Sequence, residues 1–252
     1  MNIDLTGIKA LVTGASRGIG KAIAREMIES GATVAVHYNR SREGAEELVA
    51  AAEGASATFQ ADLNEPTQCA DLVASVVEKF GGLDVLVNNA AVALESPPDE
   101  PLENCVGKWR TTLNVNLVAA GILSREAIAV FGRSGGGRIV HIASRAAFRG
   151  DTPDYMAYAA SKGGMVALSR SIARGFGGQG VKSFVIAPGF TRTEMAEEFI
   201  NKYGEDMAMR DMALDRMTEP DDIAPLVVFL ASGLADHATG TSIDVNAASY
   251  VR

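Results

Sequence analysis

The chain has 252 residues, 47% of them hydrophobic and 21% charged, which fits a globular protein built as one large α/β domain or two small ones. Its net charge of −8 argues against nucleic acid as a partner and leaves no basic patch for a membrane surface. We see no secretory signal at the N-terminus and no apolar run of about 18 residues that would predict a transmembrane helix, and we therefore expect a cytoplasmic protein.

The first element is a short apolar run over residues 8–13, which predicts a buried strand of a parallel sheet. A glycine-rich stretch over 14–20 follows at once, and the four-residue apolar spacing from Ile19 to Met27 predicts an amphipathic helix that Gly31 ends. Glycines allow close backbone approach, and the first N–H groups of a helix are free to bind phosphate. The spacing GxxxGxG differs from the commoner GxGxxG, so the glycine spacing alone is weak evidence for a dinucleotide site. The prediction of such a site rests on the position of the glycines directly after the first strand.

A second strand is predicted over 33–37, and no acidic residue lies between Gly31 and Ser41. In dinucleotide-binding folds an acid at this strand end binds the ribose hydroxyls, whereas an arginine accommodates a 2′-phosphate. Arg40 and Arg17 supply two guanidinium groups suited to a phosphate. The alternative is that both are ordinary surface arginines.

Strands and helices then alternate to the end of the chain, which predicts one α/β domain with a parallel sheet of about seven strands. The further predicted strands are 57–60, 84–87, 138–142, 182–187 and 242–245, and the further helices are 66–80, 108–130, 158–176 and 219–231. Residues 96–103, rich in proline and acid, predict a surface loop. Residues 190–217 are rich in methionine and predict either a substrate lid or plain helix packing.

Polar residues follow several of these strands. Asn88 and Asn89 end the fourth, and Ser144 lies just beyond the fifth, where ligands of open α/β sheets bind. Such a serine also commonly caps a helix. Asn116 falls inside a predicted helix, where it is either a surface residue or a local disturbance of helix bonding.

Tyr158 and Lys162 lie four residues apart on one predicted helix face. A positive charge close to a phenol favours the phenolate, so we expect Lys162 to lower the pKa of Tyr158 and to make it a proton donor and acceptor near neutral pH. Taken alone, the pair is more typical of a solvated helix face.

Together these segments resemble the short-chain dehydrogenase/reductase family over nearly the whole chain. The resemblance rests on the segments Thr13–Gly20, Asp62–Leu63, Asn88–Ala90, Asn116, Ser144, Tyr158–Lys162, and Pro188–Gly189 with Thr193. It implies a single Rossmann-type, doubly wound domain over 1–252, with a three-layer α/β/α architecture and a lid region around 190–217. It also implies an NAD(P)-dependent oxidoreductase.

The resemblance implies four catalytic residues. Tyr158 would be the acid–base group on the substrate oxygen, and Ser144 would orient that oxygen. Lys162 would hold the nicotinamide ribose and lower the pKa of Tyr158, and Asn116 would anchor a water connected to Lys162. It implies no metal, and the cofactor-binding residues would be Gly14, Ser16, Arg17, Gly18, Ile19, Gly20, Asn39, Arg40, Asp62, Leu63, Asn89, Ala90, Tyr158, Lys162, Pro188, Gly189, Thr191 and Thr193.

The expected cofactor is NADP(H) in preference to NAD(H), because of Arg17 and Arg40. The expected substrate is a small carbonyl compound or alcohol. The overall pattern is most similar to that of 3-oxoacyl-acyl-carrier-protein reductases, and this similarity implies that the substrate is an acyl thioester. The alternative is that the substrate is another ketone, an alcohol or a sugar. A dinucleotide-binding sensor or scaffold without turnover is a further hypothesis, although it would be expected to lack one of Ser144, Tyr158 and Lys162. A purely structural subunit leaves the glycine turn unexplained.

The sequence departs from the family pattern in three places. Ala91 stands where glycine is usual, the interval from Ser144 to Tyr158 is one residue longer than the commonest form, and Ala247–Ala248 lies in a segment where a glycine pair is usual. The family implies a homotetramer, and the last departure falls in a region that its members often use for subunit contacts. The cysteines, Cys69 and Cys105, lack CxxC spacing and are expected to be reduced thiols.

Overall fold

The computed structural model describes residues 3–52 and 54–252. Seven parallel strands form one sheet in the order β3-β2-β1-β4-β5-β6-β7. The strands are β1 (Lys9–Val12), β2 (Thr33–Tyr38), β3 (Ala57–Gln60), β4 (Val85–Asn88), β5 (Gly137–Ile142), β6 (Val181–Pro188) and β7 (Ser242–Val245). This is the predicted doubly wound sheet, and its order reverses between β1 and β4, the position where such folds bind ligands.

Helices cover both faces of the sheet. They are α1 (Gly18–Glu29), α2 (Arg42–Ala50), α3 (Pro66–Phe80), α4 (Leu102–Leu113), α5 (Ala119–Ser134), α6 (Ala146–Arg149), α7 (Met156–Phe176), α8 (Glu194–Tyr203), α9 (Glu205–Met209) and α10 (Ala224–Ala231). Because successive strand residues point to opposite faces, Val12 and Val36 pack with α1 and α10 while Leu11 and Leu86 pack with α3 and α5. The result is the predicted three-layer architecture.

Three local predictions need correction. Helices over residues 42–50 and 146–149 were not predicted, because α2 has many exposed polar residues and α6 is only four residues long. The predicted helix 219–231 begins as a 3₁₀ turn, Pro220–Asp222, and α10 starts only at Ala224. The predicted surface loop 96–103 starts with a buried residue, Ser96, whose backbone N–H donates to the carbonyl of Asp154, and its last two residues belong to α4, which begins before the predicted helix 108–130.

Helix α4, a π-helical turn (Asn114–Val118) and α5 form one continuous helix, Leu102–Ser134. Averaging over 18 residues gives a mean hydropathy of 1.5, so this helix is apolar and long enough to cross a membrane, although the sequence analysis expected none. The apolar core helix of a globular protein meets the same criterion. Here Leu123, Ala127 and Phe131 are buried in the core formed with α3 and the sheet.

The segment after β7 is held in an uncommon backbone conformation. Ala247 and Ala248 have φ angles of 51° and 55°, in the left-handed region that favours glycine. These are the positions where the sequence departs from the family's glycine pair. The carbonyl of Ala247 accepts a hydrogen bond from the N–H of Ala213, which ties this segment to the chain after α9.

Candidate active site

The turn between β1 and α1 is shaped by its glycines. Gly14 has a φ of 62°, and a Cβ there would lie 2.9 Å from Cα of Ala90. A Cβ on Gly20 would lie 2.2 Å from the carbonyl oxygen of Gly14. Any larger residue at either position would therefore force the turn apart. Because glycines have no side chain, a ligand on the outer side of the turn can approach its backbone closely.

Helix α1 begins at Gly18, and the side chain of Arg17 before it forms no capping hydrogen bond. The first N–H groups of this helix therefore have no side-chain cap and can bind an anion. This is the arrangement that a dinucleotide pyrophosphate requires. The turn thus fits the pyrophosphate of a dinucleotide, and a nicotinamide dinucleotide bound there would give or accept a hydride at its nicotinamide ring.

The two asparagines after β4 do different things. Asn89 donates from Nδ2 to the carbonyl oxygens of Thr13 and Gly14 at 2.8 and 3.1 Å, and its backbone N–H and that of Ala90 donate to Oγ1 of Thr13. Asn88 instead points into the core. Asn89 and Ala90 therefore brace the glycine turn.

A cavity of about 590 Å³ lies outside the turn and contains the two predicted arginines. It is lined by Ser16, Arg17, Gly18, Lys21, Arg40, Ser41, Arg42, Glu43, Gly44 and Glu194. Arg17 is also paired with Glu194, the first residue of α8. The guanidinium groups of Arg17 and Arg40 can thus both reach one ligand, whereas that of Arg42 is paired with Glu46. Asn39 is exposed next to Arg40, and its carbonyl accepts from Gln60.

The predicted adenine-flanking residues follow β3. Asp62 accepts the N–H of Asn64 within its own turn, at 2.9 Å, while the side chain of Leu63 is buried in the core beside α3. The side chain of Leu63 is therefore not free to contact a base, and only its backbone could do so.

Ser144 and Tyr158 line a second cavity, of about 390 Å³, together with Ile19, Gly189, Thr191 and Thr193. Ser144 lies beyond β5, and Tyr158 lies in the first turn of α7. A hydrogen bond from Ser144 favours the ionised form of Tyr158. The sheet edge thus brings the glycine turn, the serine and the tyrosine to one place.

Lys162 is one helical turn beyond Tyr158 and is almost fully buried. Its Nζ donates to the carbonyl oxygen of Ile142 at 2.8 Å and lies 5.6 Å from the centre of the Tyr158 ring. The amino group of Lys162 therefore lies between the last residue of β5 and the ring of Tyr158.

The expectation that Lys162 lowers the pKa of Tyr158 is wrong for this arrangement. Burial raises the pKa of Tyr158 to about 12, the hydrogen bond with Ser144 opposes that shift, and the charge of Asp151 adds to it. Burial also lowers the pKa of Lys162 to about 7, so this lysine is only partly charged near neutrality. Tyr158 is consequently protonated at neutral pH and is suited to donate its proton.

Asn116 lies in the π-helical turn between α4 and α5 and is fully buried. Its side chain accepts from the N–H of Val92 and donates to the carbonyl of Val92 and to Oγ of Ser161, all at 2.8–3.0 Å. The local disturbance of helix bonding is thus present. Asn116 joins the chain after β4 to α7 just before Lys162.

The segment after β6 closes the cavity. The carbonyl of Pro188 accepts the N–H of Arg145, and a Cβ on Gly189 would lie 2.8 Å from Cα of Asn246. Thr191 donates to the carbonyl of Gly189 at 3.2 Å. Thr193 caps α8 by accepting the N–H of Ala196, and its Cγ2 packs towards Gly18.

Comparison with known proteins matches this architecture. A family model described as enoyl-(acyl carrier protein) reductase matches residues 14–247. The 3-oxoacyl-[acyl-carrier-protein] reductase FabG of Staphylococcus aureus is 35% identical over 245 residues, covering 96% of this chain and 98% of the relative. The chain belongs to the short-chain dehydrogenase/reductase family.

Two crystal structures are similar over almost their full length. A short chain dehydrogenase from Burkholderia cenocepacia in complex with NADP has a TM-score of 0.88 and 33% identity, with coverage of 97% of this chain and 98% of that one. A candidate NAD(P)-dependent gluconate 5-dehydrogenase from Beutenbergia cavernae, with NADP bound at low occupancy, has a TM-score of 0.90 and 33% identity, with 98% of each chain covered. The protein is therefore an NAD(P)-dependent oxidoreductase that acts on an alcohol or carbonyl group.

Two histidines of this dehydrogenase/reductase were missed by the sequence analysis. His37, on β2, accepts the N–H of Gly14 at Nδ1 (3.0 Å) and contacts the carbonyl of Ala61 through Nε2 (3.1 Å). It thereby holds the glycine turn against β2 and β3. The only sequence signal was a polar residue inside an apolar strand, and a buried structural histidine is its ordinary explanation.

His141, on β5, is fully buried beside Asn88, whose Nδ2 lies 3.3 Å from its Nδ1 and 3.2 Å from Oγ of Ser124. Burial first, and then the charge of Lys162, lower the pKa of His141 to about 3.

In the part of the chain that the structure describes, no group of three or more His, Cys, Asp or Glu side chains could hold a metal ion. Cys69 and Cys105 are free thiols.

We predict that His37 makes the protein less stable in acid. Burial lowers its pKa to about 4, against 6.5 in an unfolded chain, so below pH 6.5 the unfolded state binds more protons and stability falls until the pH reaches about 4. At about 1.4 kcal/mol per pKa unit, the whole loss is about 3 kcal/mol, of which about 2 kcal/mol falls between pH 6.5 and 5. Urea unfolding of wild type and His37→Gln from pH 7.5 to 5 should show a smaller pH dependence in the variant. Equal slopes would contradict this account.

Proposed function

We propose that this protein is an NADP(H)-dependent oxidoreductase that interconverts a ketone and a secondary alcohol. The observation that carries the proposal is the pairing of Ser144 and Tyr158 at one cavity, with the buried Lys162 behind them. In the reductive direction the carbonyl carbon gains a hydride and its oxygen gains the proton of the Tyr158 hydroxyl. Ser144 donates a hydrogen bond to that oxygen while its negative charge develops.

Lys162 and Asn116 serve Tyr158 in this proposal. The ammonium of Lys162 orients the nicotinamide ribose, and its depressed pKa of about 7 lets it pass a proton onwards at neutral pH. Asn116 holds a water connected to Lys162 through its backbone carbonyl, since its side chain is already bonded to Val92 and Ser161. Tyr158 regains its proton along this route after each turnover.

The cofactor preference follows from charge. Arg17 and Arg40 line one cavity, and residues 33–38 of β2 end without an acid that would bind the 2′-hydroxyl of NAD. Two similar structures contain NADP, which supports the same preference. We propose that Arg40 carries most of it, because Arg17 is already paired with Glu194.

The curated relative named above favours a 3-oxoacyl thioester as the substrate. A different alcohol, sugar or ketone is the second candidate, and the arginine next to Ser144 favours it, as argued below. A sensor without turnover is disfavoured because Ser144, Tyr158 and Lys162 are all present. We further propose a single domain, a lid formed by residues 190–217, a cytoplasmic location, and no nucleic-acid or membrane partner.

Tyr158→Phe should reduce kcat by about 100- to 10,000-fold, because it removes the proton donor while keeping the ring. Ser144→Ala should also reduce kcat, and the double variant should show less than the product of the two effects, since both residues act on one oxygen. NADPH oxidation at 340 nm with a panel of ketones and a 3-oxoacyl thioester measures this. Fluorescence titration with NADPH is the control, and Tyr158→Phe turnover within about threefold of wild type would exclude Tyr158 as the donor.

The wild type should bind NADPH more tightly than NADH, and Arg40→Ala should remove most of that difference by eliminating a charged partner of the 2′-phosphate. Arg42→Ala is the matched control, because Arg42 lines the same cavity but is paired with Glu46 at 2.7 Å. Titration of each of the three proteins with both cofactors gives the six affinities that are needed. An unchanged preference in Arg40→Ala would rule out this role.

We propose a homotetramer, as the family resemblance implies. Sedimentation velocity at micromolar concentration should show a species of four chains. A stable monomer would refute the proposal, and the left-handed Ala247 and Ala248 would then be the first place to look for the cause.

A further inference from the structure

The cavity that contains Ser144 and Tyr158 also has two arginines in its wall. Arg145 directly follows Ser144, and Arg149 ends α6, four residues later. The proton and hydride transfers described above use neither of them. A positively charged group beside the reacting oxygen must therefore have another purpose or be neutralised by the protein.

Arg149 is neutralised. Its Nη1 lies 2.9 Å from Oδ2 of Asp211, a residue of the proposed lid, and the two side chains are only partly exposed. Its charge thus has a partner within the protein. Arg149 connects the lid to the cavity wall and needs no ligand.

Arg145 is different. Its Nη1 is buried and has no hydrogen-bond partner, and among the described residues it forms no ion pair within 4 Å. Its Cζ lies 5.9 Å from the centre of the Phe190 ring, which also lines the cavity. A guanidinium keeps its charge and its five N–H donors under all ordinary conditions, so burying it without a full set of acceptors costs free energy. The charges of Asp151 and Asp211 act on Arg145 without an ion pair to it, so the guanidinium that lines the cavity can still bind an anion there.

The acid in the cavity wall indicates what kind of anion. Asp151 lines the same cavity, and its Oδ1 already accepts the N–H of Thr152 at 2.8 Å. A phosphate dianion would be repelled by this acid more strongly than a carboxylate with a single charge. The planar carboxylate also matches the paired N–H groups of a guanidinium.

We propose that Arg145 binds a carboxylate of the substrate while Ser144 and Tyr158 hold its carbonyl or hydroxyl oxygen. This rests on the proposed function and names its substrate class, a short oxo acid or the corresponding hydroxy acid. Ser144, Arg145 and Tyr158 line one cavity of about 390 Å³, so the carboxylate and the reacting carbon would belong to one small molecule. A 3-oxoacyl thioester without a free carboxylate is then a poorer substrate than the free acid.

The test compares two pairs of ketones that differ only in charge, 3-oxobutanoate with its ethyl ester and 4-oxopentanoate with its ethyl ester. Wild type should show a kcat/KM at least about tenfold higher for one of the acids than for its ester, the scale of a hydrogen-bonded charge pair. Arg145→Gln should lose that preference by slowing the acid and leaving the ester within about threefold, and Arg145→Lys should restore part of it. Arg149→Gln is the matched control, because it removes the same charge from the same wall at a residue paired with Asp211, and it should keep the preference.

Two outcomes separate the subsite from the proposed function. Wild type that reduces the esters as well as the acids, or an Arg145→Gln variant that slows both equally while binding NADPH normally, would overturn the subsite and leave the oxidoreductase function intact. A second readout needs no turnover: calorimetric titration with butanoate, which cannot be reduced, should show binding to wild type and none to Arg145→Gln. Such binding without reduction of any ketone would support the subsite and refute the proposed function.

Discussion

The structure depends on the meeting of strand ends at one edge of a parallel sheet. Because all seven strands point the same way, the segments that follow β1, β4, β5 and β6 converge, although they are far apart in the chain. The contact between the glycine turn and the segment after β4 is the tightest of these. Asn89 and the hydroxyl of Thr13 fasten the turn from one side, and His37 fastens it from the other. The bare helix N-terminus of α1 owes its position to these bonds.

Burial has opposite effects on the two residues of the Tyr–Lys pair. Burial raises the pKa of the Tyr158 phenol and lowers the pKa of the Lys162 amine to about 7, because the charged form of each group loses hydration. A tyrosine that is reliably protonated suits reduction, where the substrate oxygen takes up a proton. Buried hydrogen bonds hold segments together that are distant in the sequence. Those of Asn116 to Val92 and Ser161 hold α7 against the chain after β4.

The segment that follows Ser144 is where this chain becomes specific. Arg145 and Arg149 belong to the same wall and carry the same charge, yet only Arg149 has a carboxylate partner within the described structure. The difference arises because α6 turns Arg149 towards Asp211, whereas Arg145 stays beside the reacting serine. The catalytic pair and the substrate anchor that we propose are thus neighbours in sequence as well as in space.

The sequence by itself determined the sheet, the glycine turn and the catalytic candidates, since apolar periodicity and glycine spacing act over a few residues. It placed β3, α3 and β7 at their exact bounds and put Ser144 and Tyr158 at a strand end and a helix face. Only the tertiary structure decided the rest. Asn88 and Asn89 are adjacent and equivalent in sequence, yet one faces the core and the other braces the turn because neighbouring residues of an extended chain point to opposite sides. Burial and partners from distant segments also determine the pKa of Tyr158, the hydrogen bonds of His37 and the lack of a partner at Nη1 of Arg145. No local sequence pattern encodes these properties.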